Sequence, residues 1–419
     1  MRGATSERSV RAVLGLLLCL PLGASQGMDE VSLRRGGPVV RVGIALERES
    51  ITLSSKGGLK LEDGLTAQPA GLVPPGGSLL ASVDGSALRL EGDLPTVPAR
   101  VPSVRVYAAV EGAAITVAGR PYRGSVELRV AGEDRVSAIN ILPLEDYLLG
   151  VVPLEIGPRG PDELAAVEAQ AVAARTYAVA QLGGQVEQGF DLFGSVDDQA
   201  YGGLAVEREE STRAVRRTAG MILLFEGRPI RAYYHSTCGG RTAPVEEVMD
   251  RPPAPYLRSV SDRGPDGVDY CSASPRYTWT ARWSKEELDS VARIGLAAHF
   301  GVSRGDLGRV EGLAVVGRTP SGRVEELAFH GAGLDLVLSR LDIRRALPYD
   351  QRILNSTNFS VAERDGGLVE LNGRGYGHGA GMCQWGAIGR ARAGQEFEQI
   401  LKTYYPGAVL VKVYRGEDG

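Results

Sequence analysis

The sequence predicts an α+β protein, with a small β-rich N-terminal domain followed by a larger mixed α/β domain that holds a central buried helix and a substrate cleft. Three observations lead there. Gly (56) and Pro (23) are abundant in the 419 residues, so turns are many. From Gly36 to Arg120 short runs alternate apolar and polar residues, the period of half-buried strands. One helical segment, Asp162–Leu182, carries no charge from Ala169 to Ala174 and is apolar on nearly every side there, as a helix inside a core must be.

The elements follow in order. Residues 1–27 place Arg2, Arg8 and Arg11 before an apolar run from Ala12 to Leu22 and small residues at 23–25, the pattern of a cleavable export signal. The run is too short to span a bilayer, so the expectation is an exported protein of the periplasm, wall or medium with no stable membrane span after cleavage. The β-rich domain is expected over 36–120, with strands in VVRVGIAL, SITLSS, LKLEDG, SALRLEG, SVRVYAAV and AAITVAG. The larger domain, 121–416, opens with strands in RGSVELRV and SAIN. A helix then follows with Pro143 at its first position, and Pro161 opens the buried one. MILLFEG and PIRAYYHS read as a hairpin around Gly227. Ser284 and Glu287 form a capping box, and Pro320–Gly322 joins two more strands. A strand at Leu368–Leu371, a glycine-dense turn, a helix from Gly381 to Arg392 and a last helix from near Gln395 complete the chain.

With 43% hydrophobic and 23% charged residues the chain can bury a full core. A net charge of −4 and the lack of a basic stretch argue against nucleic acid as a partner. Past the leader stand Cys238, Cys271 and Cys383, an odd number that in an oxidising compartment reads as one disulfide and one free thiol.

Four clusters carry candidate chemistry. Glu155 follows Val151, Val152 and Pro153 between Leu154 and Ile156, an apolar setting that raises a carboxyl pKa as a general acid requires; a structural ion pair is the competing role. Arg175 lies on the buried helix and needs a partner, Glu145 or Asp146, while Gln170 and Tyr177 share another side of it and could reach a cleft, with Gln170 as a substrate-binding candidate and core hydrogen bonding as the competing role. In YYHSTCGGRT, His235, Ser236 and Cys238 end a strand. His235, Cys238 and Cys271 could supply three zinc ligands, a Cys238–Cys271 disulfide is the preferred alternative, and a thiol nucleophile is a third reading. In NGRGYGHGAGMCQWGA, alternating glycines surround Arg374 and His378 ahead of Gln384, which reads as a binding loop.

Taken together, LEDYLLGVVPLEI, AQAVAARTYA, DDQAYGG, YYHSTCGGRT and GRGYGHGAGMCQWGA resemble the stage II sporulation protein D family over roughly Tyr122 to Val413. The resemblance implies a lytic transglycosylase that cuts peptidoglycan glycan strands, in the best-known members strands stripped of peptides. Glu155 would be the catalytic carboxylate, and Asp198, Gln199, Tyr201, His235, His378 and Gln384 would line the cleft. It also implies that no cofactor is required, although some members bind zinc near the HSTCGG segment. Relatives named amidase enhancers make a cell-wall amidase a second partner. Cys383 stands where the family usually has Ser, and the leader looks cleavable where sporulation members keep an anchor.

Overall fold

Alternation in the first third of the chain produces antiparallel strands with one buried face. In Ser50–Ser54, Ile51 and Leu53 are buried and Ser50 and Thr52 exposed. The computed structural model describes residues 36–94, 101–350 and 352–415, so the leader expected over 1–27 lies outside the described residues. Strands Ala87–Gly92, Ser78–Asp84, Ser50–Ser54, Ile115–Val117 and Arg120–Tyr122 make one five-stranded sheet in that order. A seven-stranded sheet runs Leu192–Phe193, Val39–Arg48, Val136–Pro143, Ser125–Val130, Ser103–Ala108, Leu59–Asp63 and Pro69–Val73. The buried residues of both sheets belong to one hydrophobic cluster. The larger sheet crosses residue 120, where a domain boundary was expected, because Ser125–Val130 pairs with Ser103–Ala108 and Val136–Pro143 pairs with Val39–Arg48.

Helix α1 (Leu144–Ile156) leaves the sheet directly. Pro143 caps it from the last strand position instead of starting it. Glu145 and Asp146 lie in its first turn, where the helix dipole favours negative charge. Gly157 closes it at φ 72, with its N–H donating to Pro153 O. Helix α2 (Leu164–Gln181) is buried without interruption from Ala166 to Ala178 and is the central buried helix the sequence predicts. Arg175 sits on it with no exposure and donates twice to Glu145, at 2.8 and 2.8 Å, and also to Val215 O, Met221 O and Thr218 Oγ1. Burial pushes the Glu145 carboxyl up, but Arg175 and the Tyr414 hydroxyl outweigh it and hold it below its ordinary value.

After helix α3 (Glu209–Arg217), strand Met221–Phe225 turns at Gly227 as expected, but the returning arm is only Arg228–Pro229. Tyr234–His235 leaves the hairpin and pairs in parallel with Met382–Cys383. The short helix α4 (Val245–Val248) leads to a segment with its own hydrophobic core. That segment contains sheet Thr278–Trp283/Leu368–Arg374/Phe359–Arg364, sheet Gly312–Arg318/Val324–Gly331/Leu334–Ser339, and helices α5 (Lys285–Phe300) and α6 (Arg340–Ala346). Ser284 and Glu287 form the capping box of α5. The chain then rejoins the first core through α7 (Gln384–Arg392) and α8 (Phe397–Tyr404). Helix α7 starts three residues later than expected, because Gly381 is left-handed at φ 70 and Met382–Cys383 is strand. Among the described residues no helix is long and apolar enough to cross a membrane.

Candidate active site and thiol cluster

Glu155 occupies the last turn of α1, where the negative end of the helix dipole disfavours a second negative charge. Pro153 and Gly157 bracket it, so the helix ends within two residues of the carboxylate. The side chain is half-buried. Ala200 N donates to its Oε1 at 2.9 Å and Gln384 Nε2 makes a long contact with its Oε2 at 3.5 Å. The Tyr234 hydroxyl is its third partner. These donors favour the carboxylate, yet burial outweighs them and raises the Glu155 pKa. The acid is thus assembled by α1, the 194–202 loop, the Tyr234–His235 strand and the start of α7.

Behind it runs a chain of neutral groups. Tyr147 Oη donates to Gln199 Oε1 at 3.2 Å, and Gln199 Nε2 donates to Tyr234 Oη at 2.8 Å and to Ala174 O at 3.3 Å. These bonds fix the amide orientation of Gln199 and leave the Tyr234 proton free to point at Glu155. Burial holds the Tyr234 hydroxyl far above its ordinary pKa, so it stays a donor. Gln384 Nε2 also reaches Gln170 Oε1 at 3.3 Å. Gln170 Nε2, on a fully buried residue, is left without a partner.

Several residues expected to line the cleft have other surroundings. Tyr201 is buried, donates to Asn140 Oδ1 at 2.8 Å and packs on Tyr122 and Tyr147 beneath Gly150, so it is core. Gln199 is fully buried and acts through Tyr234. Asp198 accepts from the Tyr177 hydroxyl at 2.6 Å, Gln181 and Phe193 N. It stands two residues before Ala200 and borders an open groove with Tyr233. His378 uses both ring nitrogens: Nδ1 accepts from Ala380 N at 3.1 Å, which makes Nε2 the donor to Tyr234 O at 2.9 Å. Burial, with Arg344 nearby, lowers its pKa to about 3, so it is a neutral strut. His235 is buried with Nδ1 on Ala380 O, and Ser236 touches Thr237 through its hydroxyl and Trp385 N through its carbonyl. Arg374 is exposed and lies over the Tyr277 ring, in the wall of a separate cavity.

The glycine loop serves backbone contact. Gly377 (φ 111) passes His235 so closely that a Cβ there would come within 2.8 Å of His235 Cβ. At Gly381 (φ 70) a Cβ would lie 1.9 Å from Tyr233 O. The close approach that the glycines permit is to the YYHSTC segment.

The expected Cys238–Cys271 disulfide is not formed. Their sulfurs are 3.5 Å apart, far beyond a bond of about 2.05 Å, and Cys383 is free as well. Instead Cys238, Cys271, Cys383 and Asp262, all buried, bring one donor atom each to within 4.8 Å of one another. His235 lies outside this set, so the expected His235–Cys238–Cys271 triad is replaced by three thiols and a carboxylate. Cys383 Sγ accepts from Cys238 N at 3.1 Å and Gly386 N at 3.2 Å, so two backbone N–H groups orient the sulfur. Tyr404 and Arg390 hold Asp262 Oδ1, while Oδ2 faces Cys238 Sγ at 3.4 Å. Burial pushes the Cys238 and Cys383 thiols up, while hydrogen bonds from those two thiols lower that of Cys271, so the thiolate of the cluster is held at Cys271 and not at the Cys238 of the thiol-nucleophile reading.

Sequence reasoning missed Tyr234, Asp262 and Cys383 as members of these clusters. Tyr234 reads as one more apolar strand residue, and Asp262 has no neighbouring motif. Cys383 gave a signal, an unpaired third cysteine beside Gln384.

Fold and site together define an α+β protein with a desolvated carboxylic acid, Glu155, and a buried cluster of three thiols and the carboxyl of Asp262. Residues 132–225, which contain Glu155, match the family described as Stage II sporulation protein, and residues 266–381 match a domain of unknown function. An uncharacterized protein of Brachyspira hyodysenteriae is 33% identical over 301 residues, covering 72% of this chain and 75% of the relative. Stage II sporulation protein D of Bacillus subtilis is 30% identical over 288 residues, covering 65% of this chain and 76% of the relative. The amidase enhancer of the same organism is 29% identical over 303 residues, of which this chain spans 40% of the relative's length. The chain belongs to the stage II sporulation protein D family.

Proposed function

We propose that this protein is an exported lytic transglycosylase that cleaves peptidoglycan glycan strands between N-acetylmuramic acid and N-acetylglucosamine. Family membership and likeness to an amidase enhancer support a role at the cell wall. The observation that carries the chemistry is Glu155, one acid of raised pKa whose hydrogen-bond partners are all neutral. An ordinary glycosidase needs a second carboxylate across the sugar ring. A single acid suffices when the sugar's own C6 hydroxyl attacks the anomeric carbon, because the nucleophile is already tethered. Glu155 would protonate the glycosidic oxygen as the C1–O bond breaks. The carboxylate would then take the proton of the C6 hydroxyl as its oxygen bonds to C1, leaving a 1,6-anhydro-muramyl end.

The thiol cluster fits zinc, which takes thiolate and carboxylate ligands and is four-coordinate in structural sites. Cys238, Cys271, Cys383 and Asp262 would hold it, and Gly386 N, Tyr404 and Arg390 already orient two of the four. Bound there, the ion would supply structural cross-linking. Because Gln384 follows Cys383, the cluster fixes the start of α7 against Glu155.

The test is mass spectrometry of soluble products from purified glycan strands, intact and peptide-stripped, with the wild type and Glu155→Gln. Anhydro-muramyl ends that fall by about 100-fold or more in the variant support the reading. No cleavage of either substrate, with glycan binding retained and stimulation of an added amidase, would establish instead the non-catalytic enhancer that the 29%-identical relative suggests.

A further inference from the structure

On the sheet of the second core, a cavity of ≈430 Å³ is lined by aromatic, amide and guanidinium groups, among them Trp279, Phe359, Asn358, Arg318 and Arg374. None of the side chains lining it is a carboxylate, and among the described residues neither arginine makes an ion pair. This sets it apart from the larger groove beside Asp198, where Arg340 and Arg345 are matched by Asp250 and Asp342.

Each wall is held in place. Trp279 pairs with Gly373, and a Cβ on that glycine would sit 2.2 Å from the indole. The bare backbone therefore admits the indole against the strand, and Trp279 Nε1 donates to Ser356 Oγ at 3.3 Å. Arg318 is fixed by the carbonyls of Gly322 and Phe359, at 3.0 and 2.9 Å, bonds that orient its guanidinium without neutralising it. Arg374 is exposed, opposite Thr278 in the register. Its stem packs on Gly239, and Gly239 is five residues from Tyr234, the partner of Glu155. Even fully extended, those five residues reach only about 18 Å, which bounds the separation of the two backbone positions.

We infer that this cavity is a second glycan subsite that binds an N-acetylated sugar bearing a free carboxylate. An aromatic ring suits the C–H face of a sugar, an amide suits the acetamido group, and an unneutralised guanidinium suits a carboxylate. The inference rests on the glycan reading of the previous section. On a peptide-stripped strand the ligand is the lactyl carboxylate of muramic acid, which an attached stem peptide converts into an uncharged amide. Arg374 thereby distinguishes stripped from decorated strands, away from the bond that is cut.

The experiment measures binding to the Glu155→Gln protein, with and without Arg374→Ala or Arg374→Lys, by calorimetry. The probes are peptide-stripped strands, the same strands with their carboxylates converted to amides, and neutral N-acetylglucosamine oligomers. Arg374→Ala should weaken binding of the stripped strands by about tenfold or more, the loss of one charge-assisted contact, and leave the other two probes unchanged. Arg374→Lys should recover part of the loss. Equal losses for charged and amidated strands, or no loss at all, overturn the inference, and melting curves show whether each variant is folded. Product analysis of the wild type decides the glycan-cleaving reading separately. Anhydro ends with no Arg374 effect sink the subsite alone, whereas an Arg374 effect without anhydro ends sinks the cleavage alone.

Discussion

At Glu155 two opposing effects meet: desolvation favours the protonated acid, and donors from Ala200, Gln384 and Tyr234 favour the carboxylate. Desolvation wins, and the sign of a stability effect follows. Because the folded pKa lies above the ordinary 4.5, this residue's contribution to stability is intact below that value and declines as pH rises through the folded pKa. Glu155→Gln carries no such charge. Its melting temperature should match the wild type at pH 4 and exceed it at pH 8, and equal gaps at both pH values would contradict the assignment. Tyr234 is a positioning residue for the same acid. Tyr234→Phe removes a donor to the carboxylate, so the pKa of Glu155 should rise further and the basic limb of the kcat profile should move to higher pH. A uniform loss with no shift of that limb would make Tyr234 merely structural.

Among the elements, α2 is the one on which the most depends. Its alanine-rich centre lets α1, α3, α7 and α8 approach closely, and Arg175 converts that core into a fixed geometry by gripping Glu145 of α1. Arg175→Met should destabilise the fold by about 3 kcal/mol in urea denaturation, because Glu145 is left largely buried without its cation. A cost under about 1 kcal/mol would mean that Tyr414 and Gly220 N satisfy Glu145 alone. The glycine loop is the second element of consequence. Its left-handed residues bring Met382–Cys383 alongside Tyr234–His235, which sets Gln384 and Tyr234 against Glu155 from two directions.

Over the whole molecule, the thiol cluster ties together the YYHSTC segment, the 262–271 loop and the start of α7. If zinc is held there, metal analysis of the purified chain should find about one ion per chain. Cys383→Ser should lower both the metal content and the melting temperature, and chelation should do the same to the wild type. Three freely titrating thiols with no metal would exclude it. Much of this was legible in the sequence: the β-rich start, the buried helix, the need of Arg175 for an acidic partner at Glu145 or Asp146, the capping box at Ser284 and the desolvated Glu155 follow from local pattern, because periodicity and apolar flanks are local properties, whereas packing chose Glu145. The sequence by itself determined the fold class and the family, and its apolar flanks marked Glu155 as a desolvated carboxyl. Tertiary structure decided the partners, because Gln384, 229 residues from Glu155, and Asp262, 24 from Cys238, are joined by contacts that no spacing encodes. It also turned Tyr201, Gln199 and His378 from expected sugar contacts into core and supporting residues, since only packing shows whether a polar side chain ends in a cleft or on another buried group.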